Sequence, residues 1–522
     1  MNREELLKEA IKIKSFDLII IGGGATGVGA CVDARSRGLN VLLLEQHDFG
    51  KGTSSKSTKL IHGGLRYLEQ GNIKLVKEGL KERGLLMKNA PHLVKRKEFL
   101  IPVFSLFEKF FYWTGLKLYD FLAFSLSLGS SRILSKESTL SMMKNLNPKD
   151  LKGGVTYFDA QFDDCRLLIT LVKTAFDLGG ICLNYIKVID LIKTDGLVKG
   201  VIAQDLLTMT IYEFSSDVVL NATGVFSDEI RLKSDPSLVP MIAPSQGIHL
   251  VLPKRFLEGQ TALMIPKTSD GRVLFVIPWE GSVLIGTTDT LKEHFEYEPE
   301  PLDEEITFIL NETKKYLAYP PEKKDILSIF SGLRPLIKKK DQKSKTISRD
   351  HVIEISSSKL VTITGGKWTT YRKMAEEAIN ICLEVANKPF RPSKTKELKI
   401  HGFLQPIDPF NPLNKYGTDQ TILLNLYKEE PSLREQLHPH LPYTIGEIVF
   451  AIRYEMAKTI EDILARRTRA LFIDAKAAVE CSHEVGRILA KELGKTLFDM
   501  EGEIHQFSAM AKNYCLNSTK TP

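Results

Sequence analysis

Apolar and polar positions alternate in a characteristic order across residues 17–46, DLIIIGGGATGVGACVDARSRGLNVLLLEQ. The apolar residues 18–21 predict a buried strand, and a glycine-rich turn leads into a segment of helical character that ends at Gly38. A second apolar run at residues 41–44 predicts another buried strand and closes on the acid Glu45. This order of strand, helix and strand predicts a βαβ unit with parallel strands.

The turn of this unit has the spacing of a dinucleotide-binding motif. Its glycines follow the pattern GxGxxG, which permits a tight turn, close approach of a pyrophosphate and close packing of helix on strand. The start of the helix suits an anion, and Glu45, 21 residues after Gly24, suits a ribose hydroxyl. NAD and FAD satisfy this motif equally well, and a glycine-rich turn without a ligand is the alternative. We expect the dinucleotide to contact Gly22, Gly24, Ala25, Thr26, Gly27 and Glu45.

A segment dense in hydroxyl groups and glycines follows directly, FGKGTSSKSTKLIHGGLRYLEQG at residues 49–71. Small residues let a backbone pass close to a flat cofactor, whereas an ordinary surface loop with a helix cap is the other interpretation. The expected cofactor contacts in this segment are Thr53, Ser54, Ser55, Thr58, Leu60, His62, Gly63 and Gly64.

Residues 98–124 are unusually aromatic, with ten aromatic side chains between Phe99 and Phe124 and interleaved lysines and acids. Such a pattern is typical of a helix lying in a membrane interface, where rings reach the headgroups and lysines reach lipid phosphate. It is equally typical of a core helix, because aromatic stripes at helical spacing usually pack inside a protein. The sequence leaves both interpretations open.

The remaining pattern predicts two further parts of the molecule. Residues 151–224 predict a helix and strands that return to the nucleotide domain, where the strand at 217–221 ends on the small-residue turn Ala222, Thr223 and Gly224. Residues 245–290 predict an antiparallel sheet, because short apolar runs alternate with turn residues. A Gly365-Gly366 turn then opens a helix at Lys367, Trp368 and Thr369, and the charge run at 338–345 predicts a surface loop.

These patterns predict an α/β protein of three domains. The nucleotide domain is discontinuous and takes residues 1–95, 150–235 and 346–392. Residues 96–149 and 236–345 form a substrate domain built on the antiparallel sheet. Residues 396–522 form a helical C-terminal domain, because residues 445–464 and the segment after Asp474 carry apolar helical faces.

Composition narrows the class of protein further. The 522 residues are 43% hydrophobic and 26% charged, which is ordinary for a globular protein. A net charge of +7 permits an anionic substrate or membrane surface and is far from a nucleic-acid footprint. Six scattered cysteines without a CxxC pair favour neither a metal centre nor a disulfide framework. Since we find neither a signal peptide nor a spanning helix, we expect a cytoplasmic location, with peripheral membrane attachment open.

Taken together, the motifs identify a resemblance. The chain resembles the FAD-dependent glycerol-3-phosphate dehydrogenases, flavin enzymes that pass electrons to the respiratory chain. Cys31 stands where the family pattern has alanine, which is a small buried change. The motifs that carry the resemblance are IGGGATGVGACVDARSRG (21–38), TSSKSTKLIHGGLRYLEQG (53–71), SGLRPL (331–336) and GGKWTTYRKMA (365–375).

The resemblance implies a fold and a cofactor. The fold is that of a Rossmann-like, two-domain flavoprotein of the D-amino-acid oxidase type, with a C-terminal helical cap. The cofactor is FAD, bound also by the Ala222–Gly224 turn and by Gly366, Lys367, Trp368 and Thr369. The chain lacks the calcium-binding hands of mitochondrial members and the cysteine-rich region of anaerobic bacterial members, so we expect no metal.

The resemblance also implies a reaction, the oxidation of sn-glycerol 3-phosphate to dihydroxyacetone phosphate with hydride passing from C2 to flavin N5. The substrate phosphate requires cations, and a base must take the C2 hydroxyl proton. The phosphate candidates are Arg66, Arg334, Arg372 and Lys367, the base candidates are His62 and His249, and Tyr67 is a candidate for orienting the substrate.

The expected electron acceptor is a membrane quinone. Its use would bring the protein to the cytoplasmic side of a membrane as a peripheral protein. Whether the chain forms a homodimer is left open. A glycerol-3-phosphate oxidase that uses O2 and releases H2O2 has the same fold and is the nearest alternative. A flavin-binding sensor or scaffold without turnover is the alternative of another class.

Overall fold

The computed structural model describes residues 1–69, 71–293, 296–338 and 351–516, and of Arg66 only the backbone. All but the first residue of the charge run predicted at 338–345 therefore lies outside the described residues. In chain order the strands are β1 (Ser15–Ile21), β2 (Val41–Leu44), β3 (Leu60–Ile61), β4 (Val94–Val103), β5 (Arg132–Leu134), β6 (Gly153–Phe162), β7 (Ile181–Leu183), β8 (Ile186–Thr194), β9 (Leu197–Asp205), β10 (Ile211–Asn221), β11 (Ile242–Pro253), β12 (Ala262–Ile265), β13 (Leu274–Trp279), β14 (Ser282–Gly286), β15 (Thr290–Leu291), β16 (Ser328–Ile337), β17 (His351–Ile355) and β18 (Val361–Gly365).

The α-helices are distributed over the whole chain and become dense after residue 400. They are α1 (Arg3–Ile13), α2 (Ala25–Ser36), α3 (Leu65–Glu69), α4 (Ile73–Asn89), α5 (Leu106–Ala123), α6 (Lys136–Met142), α7 (Asp164–Asp177), α8 (Ser227–Ser234), α9 (Asp303–Tyr316), α10 (Tyr371–Val385), α11 (Gln420–Glu429), α12 (Ile445–Tyr454), α13 (Ala470–Ile473), α14 (Ala475–Glu480), α15 (Ser482–Leu493) and α16 (Leu497–Ala511).

The first sheet contains the predicted βαβ unit. In the described part of the chain its strand order is β17-β18-β10-β1-β2-β7, with the β8-β9 hairpin joined to β10. β1 lies between β10 and β2 and is parallel to both. β2 is buried along its whole length, as a strand covered on both faces must be, and α2 packs between α7 and α10. The carboxyl ends of β1 and β10 therefore meet at the crevice where such sheets bind ligands.

The second sheet is larger and almost wholly antiparallel, as predicted. Within the described residues its order is β15-β11-β14-β13-β12-β4-β6-β3, and β16 and β5 pair with β11 and β6. One pair, β12 with β4, is parallel. The predicted boundaries differ from this sheet at two places, because β3 and β6 belong to it although residues 60–61 and 153–162 were assigned to the nucleotide domain. The physical reason is the long antiparallel pairing of β6 with β4, from Val94–Phe162 to Val103–Gly153.

The aromatic segment forms the end of β4 and the amphipathic helix α5. Leu116, Tyr119 and Ala123 face inward and are buried. The opposite face carries exposed rings: Phe107 is 79% exposed, Phe121 73% and Phe124 82%. The core-helix interpretation is therefore wrong for this outward face, which we call the aromatic face of α5.

The C-terminal helices α11–α16, which we call the cap, pack against the second sheet and share one hydrophobic core with it. The helix predicted at 445–464 ends at Tyr454, because Met456 adopts a left-handed backbone conformation with φ of 59°. A π-helical turn, Asp462–Arg467, follows. Asp474 caps α14 by accepting a hydrogen bond from the Ala477 amide at 3.0 Å, and the helical segment after it is divided into α14 and α15.

One contact between the cap and the nucleotide domain predicts a pH-dependent stability. His401 lies 2.6 Å from an Asp177 oxygen at the end of α7 and 2.9 Å from an Asp419 oxygen before α11. Burial alone lowers the pKa of His401, but its hydrogen bonds to both carboxylates raise the pKa to about 9. The folded state thus binds this proton more tightly than the unfolded state, in which histidine titrates near 6.5.

His401→Gln should therefore cost stability below pH 6.5, and the cost should disappear as the pH rises through 9. The measurement is the urea midpoint of wild type and variant between pH 6 and pH 10. His440→Gln, at a 72% exposed side chain, is the matched control and should show no such trend. A difference between wild type and His401→Gln that stays constant up to pH 10 would contradict the assignment.

Candidate active site

Two connected cavities lie between the sheets and run from the βαβ turn to the second sheet. The first has a volume of about 420 Å³ and the second about 320 Å³. Both are lined by Thr53, Pro335 and the turn at Gly366, Lys367 and Trp368. A long ligand can therefore occupy the first cavity and present one end to the second.

The first cavity begins at the glycine turn. A Cβ added at Gly27 would lie 2.0 Å from the Gly22 oxygen, and one added at Gly22 would lie 2.6 Å from the Ala222 oxygen. Glycine is therefore required at position 27 for α2 to pack against β1. It is required at position 22 for the turn after β1 to contact the turn after β10. The first turn of α2 carries no acid, so its N-terminal amides favour an anion in the cavity.

Glu45 closes the same end of the cavity. Its carboxylate accepts hydrogen bonds from the Gly23 amide at 2.6 Å and the His47 amide at 2.8 Å. Burial raises the pKa of Glu45, and the two amide donors oppose that shift. The carboxylate lines the cavity, and its remaining lone pairs can accept from a hydroxyl-bearing ligand.

The middle of the site joins segments distant in sequence. The Trp368 indole N–H donates to the Ser54 carbonyl at 2.8 Å, and the Ser54 hydroxyl accepts from the Ala25 amide at 2.9 Å. The His62 amide donates to the Thr369 hydroxyl at 3.2 Å. The hydroxyl-rich segment is thus fastened both to the start of α2 and to the turn before α10.

Arg334 supplies a cation to the second cavity from β16. It donates to the Thr288 carbonyl at 3.0 Å and the Thr287 hydroxyl at 3.1 Å, and pairs with Asp289 at 3.2 Å. A Cβ at Gly247 would lie 2.4 Å from its Nη2 atom, so only glycine leaves room for the guanidinium across β11. The guanidinium is therefore held in place before any ligand arrives.

Lys367 and Tyr67 line the same cavity and contact each other. The Lys367 Nζ atom lies 3.8 Å from the centre of the Tyr67 ring, a cation–π contact. The Tyr67 hydroxyl is buried and has no hydrogen-bond partner among the described residues. His62 is half-buried and lines the cavity beside this pair.

His249 is placed differently from His62, although both line the cavity. His249 is 2% exposed, its Nε2 atom lies 2.9 Å from the Thr58 hydroxyl, and its ring stacks on Phe330 at 4.7 Å. Burial, reinforced by Lys59 and Arg334, holds its pKa well below 6.5. His249 is therefore a neutral, enclosed imidazole at physiological pH.

Three predicted contacts line neither cavity. Ser55 is buried and its carbonyl accepts from Lys59 at 2.7 Å, while Gly27 and Gly63 lie behind the lining residues. The other predicted cofactor contacts line at least one of the two cavities. They are Gly22, Gly24, Ala25, Thr26, Glu45, Thr53, Ser54, Thr58, Leu60, His62, Gly64, Ala222, Thr223, Gly224, Gly366, Lys367, Trp368 and Thr369.

Arg372 is not at the site, in contrast to its prediction as a phosphate ligand. Its guanidinium forms two hydrogen bonds of 2.7 Å with Glu82 on α4 and one of 2.8 Å with Glu376. The reason is the rotation of α10, which turns the fifth residue after Lys367 away from the cavity. The Arg66 side chain, also predicted to bind phosphate, is outside the described part of the chain.

Several residues that line the second cavity were not predicted from the sequence. Asp159 and Tyr157 come from β6, which was assigned to the other domain, and Thr287, Thr288 and Asp289 follow β14 without a motif of their own. Lys56 and Ser57 lie in the hydroxyl-rich segment, and its density of hydroxyl groups and glycines could have indicated them as lining residues. Arg272, two residues before β13, had only its charge to distinguish it.

The fold and the cavities define the class of protein. A βαβ anion site, a fixed carboxylate and a cleft that ends beneath an antiparallel sheet fit an extended dinucleotide whose reactive end enters the second cavity. The buried Tyr67 hydroxyl without a partner and the space above the glycine turn are consistent with such a ligand. These are the features of a two-domain flavoprotein oxidoreductase.

Comparisons with known proteins give the same class. Residues 17–372 match the family model of FAD-dependent oxidoreductases, and residues 359–497 match the C-terminal domain of alpha-glycerophosphate oxidase. A probable mitochondrial glycerol-3-phosphate dehydrogenase of Caenorhabditis elegans is 37% identical over 99% of this chain and 78% of its own. The mitochondrial glycerol-3-phosphate dehydrogenase of Homo sapiens is 37% identical over 94% of this chain and 72% of its own.

A solved structure agrees over the whole length. The glycerol-3-phosphate dehydrogenase of Bacillus halodurans, solved with FAD, superposes with a TM-score of 0.79 at 29% identity, covering 100% of this chain and 99% of the other. The chain belongs to the family of FAD-dependent glycerol-3-phosphate dehydrogenases. The predicted fold class, the cofactor FAD and the family resemblance are thereby confirmed. In the part of the chain that the structure describes, no helix has both the length and the apolarity of a membrane span.

Gly27→Ala tests the packing that shapes the FAD site. The added methyl group collides with the Gly22 carbonyl, so α2 must move away from β1 and FAD should be lost from the purified protein. The measurement is the ratio of flavin to protein absorbance after gel filtration.

The matched control is Gly502→Ala, also within a helix, where an added Cβ meets open space. This control should retain full FAD and gain slightly in stability, because alanine is the better helix former. Full FAD occupancy in Gly27→Ala would contradict the steric argument.

Proposed function

We propose that this protein oxidises sn-glycerol 3-phosphate to dihydroxyacetone phosphate and passes the electrons to a membrane quinone. The observation that carries the proposal is the junction of the two cavities at Gly366, Lys367 and Trp368, where fixed cations and a histidine surround the end of the FAD site. Bound FAD supplies a two-electron acceptor for converting an alcohol to a ketone. The names of the relatives supply the substrate.

Arg334 and Lys367 are the proposed phosphate partners. The phosphate is an oxyanion that pairs with two donors of one guanidinium at once, and Arg334 is already oriented by Thr287 and Thr288. Lys367 adds a second positive charge to the same cavity. Arg66, whose side chain is not described, stays a candidate from the sequence motif alone.

His62 is the proposed base for the C2 hydroxyl proton. It is half-buried in the cavity wall, whereas His249 is enclosed and uses Nε2 on Thr58. The choice between the two histidines thus follows from access rather than from their pKa values. The buried Tyr67 hydroxyl beside Lys367 is the proposed group that orients the substrate.

The quinone proposal rests on an apolar groove between α3 and α5. The groove has a volume of about 570 Å³ and is lined by residues of both helices, including Phe107, Phe110 and Phe111. Leu65 lines both this groove and the second cavity, so the groove lies next to the active site. A flat ring with an apolar tail suits such a groove better than a hydrophilic acceptor does.

The acceptor can be tested in turnover with sn-glycerol 3-phosphate. We expect reduction of a short-chain quinone to exceed oxygen consumption severalfold, with little peroxide formed. Rapid peroxide release without quinone would instead establish an oxidase. If neither acceptor supports turnover and the flavin stays oxidised, the proposed function is wrong and a non-catalytic flavoprotein remains.

Arg334→Gln should raise KM for glycerol 3-phosphate and lower kcat/KM. Loss of a charge-assisted pair to phosphate costs about 2 to 5 kcal/mol, which is roughly 30-fold or more in kcat/KM. Arg255→Gln, at a side chain that is 62% exposed, removes the same charge from the surface and is the control. Wild-type kinetics in Arg334→Gln would remove this residue from the site.

The aromatic face of α5 is the proposed contact with the cytoplasmic side of a membrane. Exposed rings enter the interface and the net charge of +7 favours anionic lipid. Phe107→Ser combined with Phe110→Ser should reduce sedimentation with vesicles of anionic phospholipid at least severalfold.

A variant carrying Phe410→Ser and Phe498→Ser removes two rings elsewhere that are at least as exposed, and it should sediment like wild type. Equal sedimentation of the α5 variant and wild type would place the membrane contact on another surface.

A further inference from the structure

Tyr119 connects α5 to the turn that carries His62. Its side chain is 1% exposed and lies on the face of α5 opposite the aromatic face. The hydroxyl accepts a hydrogen bond from the Gly63 amide at 2.9 Å and donates to the Asp159 carboxylate, whose oxygens lie 2.9 and 3.1 Å away. Burial and the neighbouring Asp159 raise the pKa of Tyr119 well above 10, so the hydroxyl keeps its proton.

A buried ion pair fixes the acceptor end of this connection. The Arg83 guanidinium lies 2.6 Å from Asp159, and both side chains are almost fully buried. Arg83 also donates to the Phe158 carbonyl at 3.2 Å and the Leu126 carbonyl at 3.3 Å. The Asp159 carboxylate is therefore held from α4.

The turn at His62 is held from two sides. On one side the Thr369 hydroxyl accepts from the His62 amide at 3.2 Å. On the other side Tyr119 accepts from Gly63, the next amide in the chain. A Cβ at Gly63 would lie 2.7 Å from the Tyr119 hydroxyl and 2.8 Å from Leu80, so the turn has no room to move toward α5.

We propose that Tyr119 is a positioning residue for His62, acting through the Gly63 amide and anchored on the Asp159–Arg83 ion pair. The proposal deepens the proposed function and rests on it, since His62 is taken as the proton acceptor there. Without the hydroxyl, the Gly63 amide loses its buried partner and the turn carrying His62 gains freedom. A small displacement of a catalytic group is enough to slow a reaction by tens of fold.

The first test is Tyr119→Phe in the FAD-loaded enzyme, mixed with glycerol 3-phosphate in an anaerobic stopped-flow instrument. We expect the limiting rate of flavin bleaching to fall about 10- to 100-fold, with the half-saturating substrate concentration changed by less than twofold. An unchanged limiting rate would overturn the proposal. If wild type itself fails to bleach, the proposed function has failed instead.

A matched control separates positioning from general loss of stability. Tyr416 in the cap is likewise buried and donates its hydroxyl to a paired carboxylate, Glu447, at 2.8 Å. Tyr416→Phe should lower Tm about as much as Tyr119→Phe and leave the bleaching rate within twofold. Equal slowing by both variants would show that lost stability alone explains the effect.

The second test asks whether Tyr119 acts through His62. In a His62→Ala background, Tyr119→Phe should slow bleaching further by less than twofold, because the positioned group is gone. The same fold-loss in both backgrounds would overturn the proposal.

A third readout does not depend on activity. Amide hydrogen exchange of the peptide that contains Gly63 should speed up at least tenfold in Tyr119→Phe and stay unchanged in Tyr416→Phe. Unchanged exchange in Tyr119→Phe would show that the hydroxyl does not hold the turn.

Discussion

One buried carboxylate, Asp48, fixes the cap to the nucleotide domain beside the FAD site. Its oxygens accept from Arg466 at 2.5 Å and from Arg467 at 2.6 and 2.8 Å, both in the π-helical turn of the cap. Asn184, directly after β7, donates to the same carboxylate at 3.3 Å. Burial alone would raise the pKa of Asp48, but the two guanidinium groups lower it to about 2.

A buried ion cluster adds little net stability to the folded state, because desolvation of the charges offsets much of their attraction. It does, however, disfavour other arrangements of the cap and the nucleotide domain, since those would leave a buried charge unpaired. Asp48 follows the cavity-lining residues Glu45 and Gln46 and precedes Gly50. The wall of the FAD site is therefore fixed by the cap as well as by its own sheet. Lys51 adds a second link across the same boundary, with its Nζ atom 2.7 Å from Glu461.

How far the sequence predicts this molecule depends on the range of the interactions involved. The βαβ unit and the position of Glu45 beside its glycine turn follow from spacing within 30 residues, and the hydroxyl-rich segment lining the cavities follows from its composition. β6 was assigned to the nucleotide domain because its partner strand β4 ends fifty residues before β6 begins. No local sequence pattern predicts a pairing over that distance. Arg372 was predicted to bind phosphate, but the rotation of α10 decides which of Lys367 and Arg372 reaches the cavity. The cluster around Asp48 joins residues more than 400 positions apart and is visible only in three dimensions.

The second cavity combines groups from both sheets, which explains why its function cannot be read from either sheet alone. Arg334 comes from the antiparallel sheet, Lys367 from the turn after β18, and His62 from the turn directly after β3. Neighbouring residues hold these groups in place, such as Gly247 beside Arg334 and Thr369 beside His62. In the proposed function, specificity for a small phosphorylated alcohol would depend on the distance between the cations and the histidine.

The most direct measurement of the central claim is the anaerobic half-reaction without any electron acceptor. The FAD-loaded protein is mixed with sn-glycerol 3-phosphate, with its mirror image or with glycerol, and the yellow flavin absorbance is followed. The account predicts fast and complete bleaching by sn-glycerol 3-phosphate, and bleaching by glycerol only at far higher concentration, because glycerol cannot use Arg334 and Lys367. No bleaching by sn-glycerol 3-phosphate, or equal bleaching by glycerol, would contradict it.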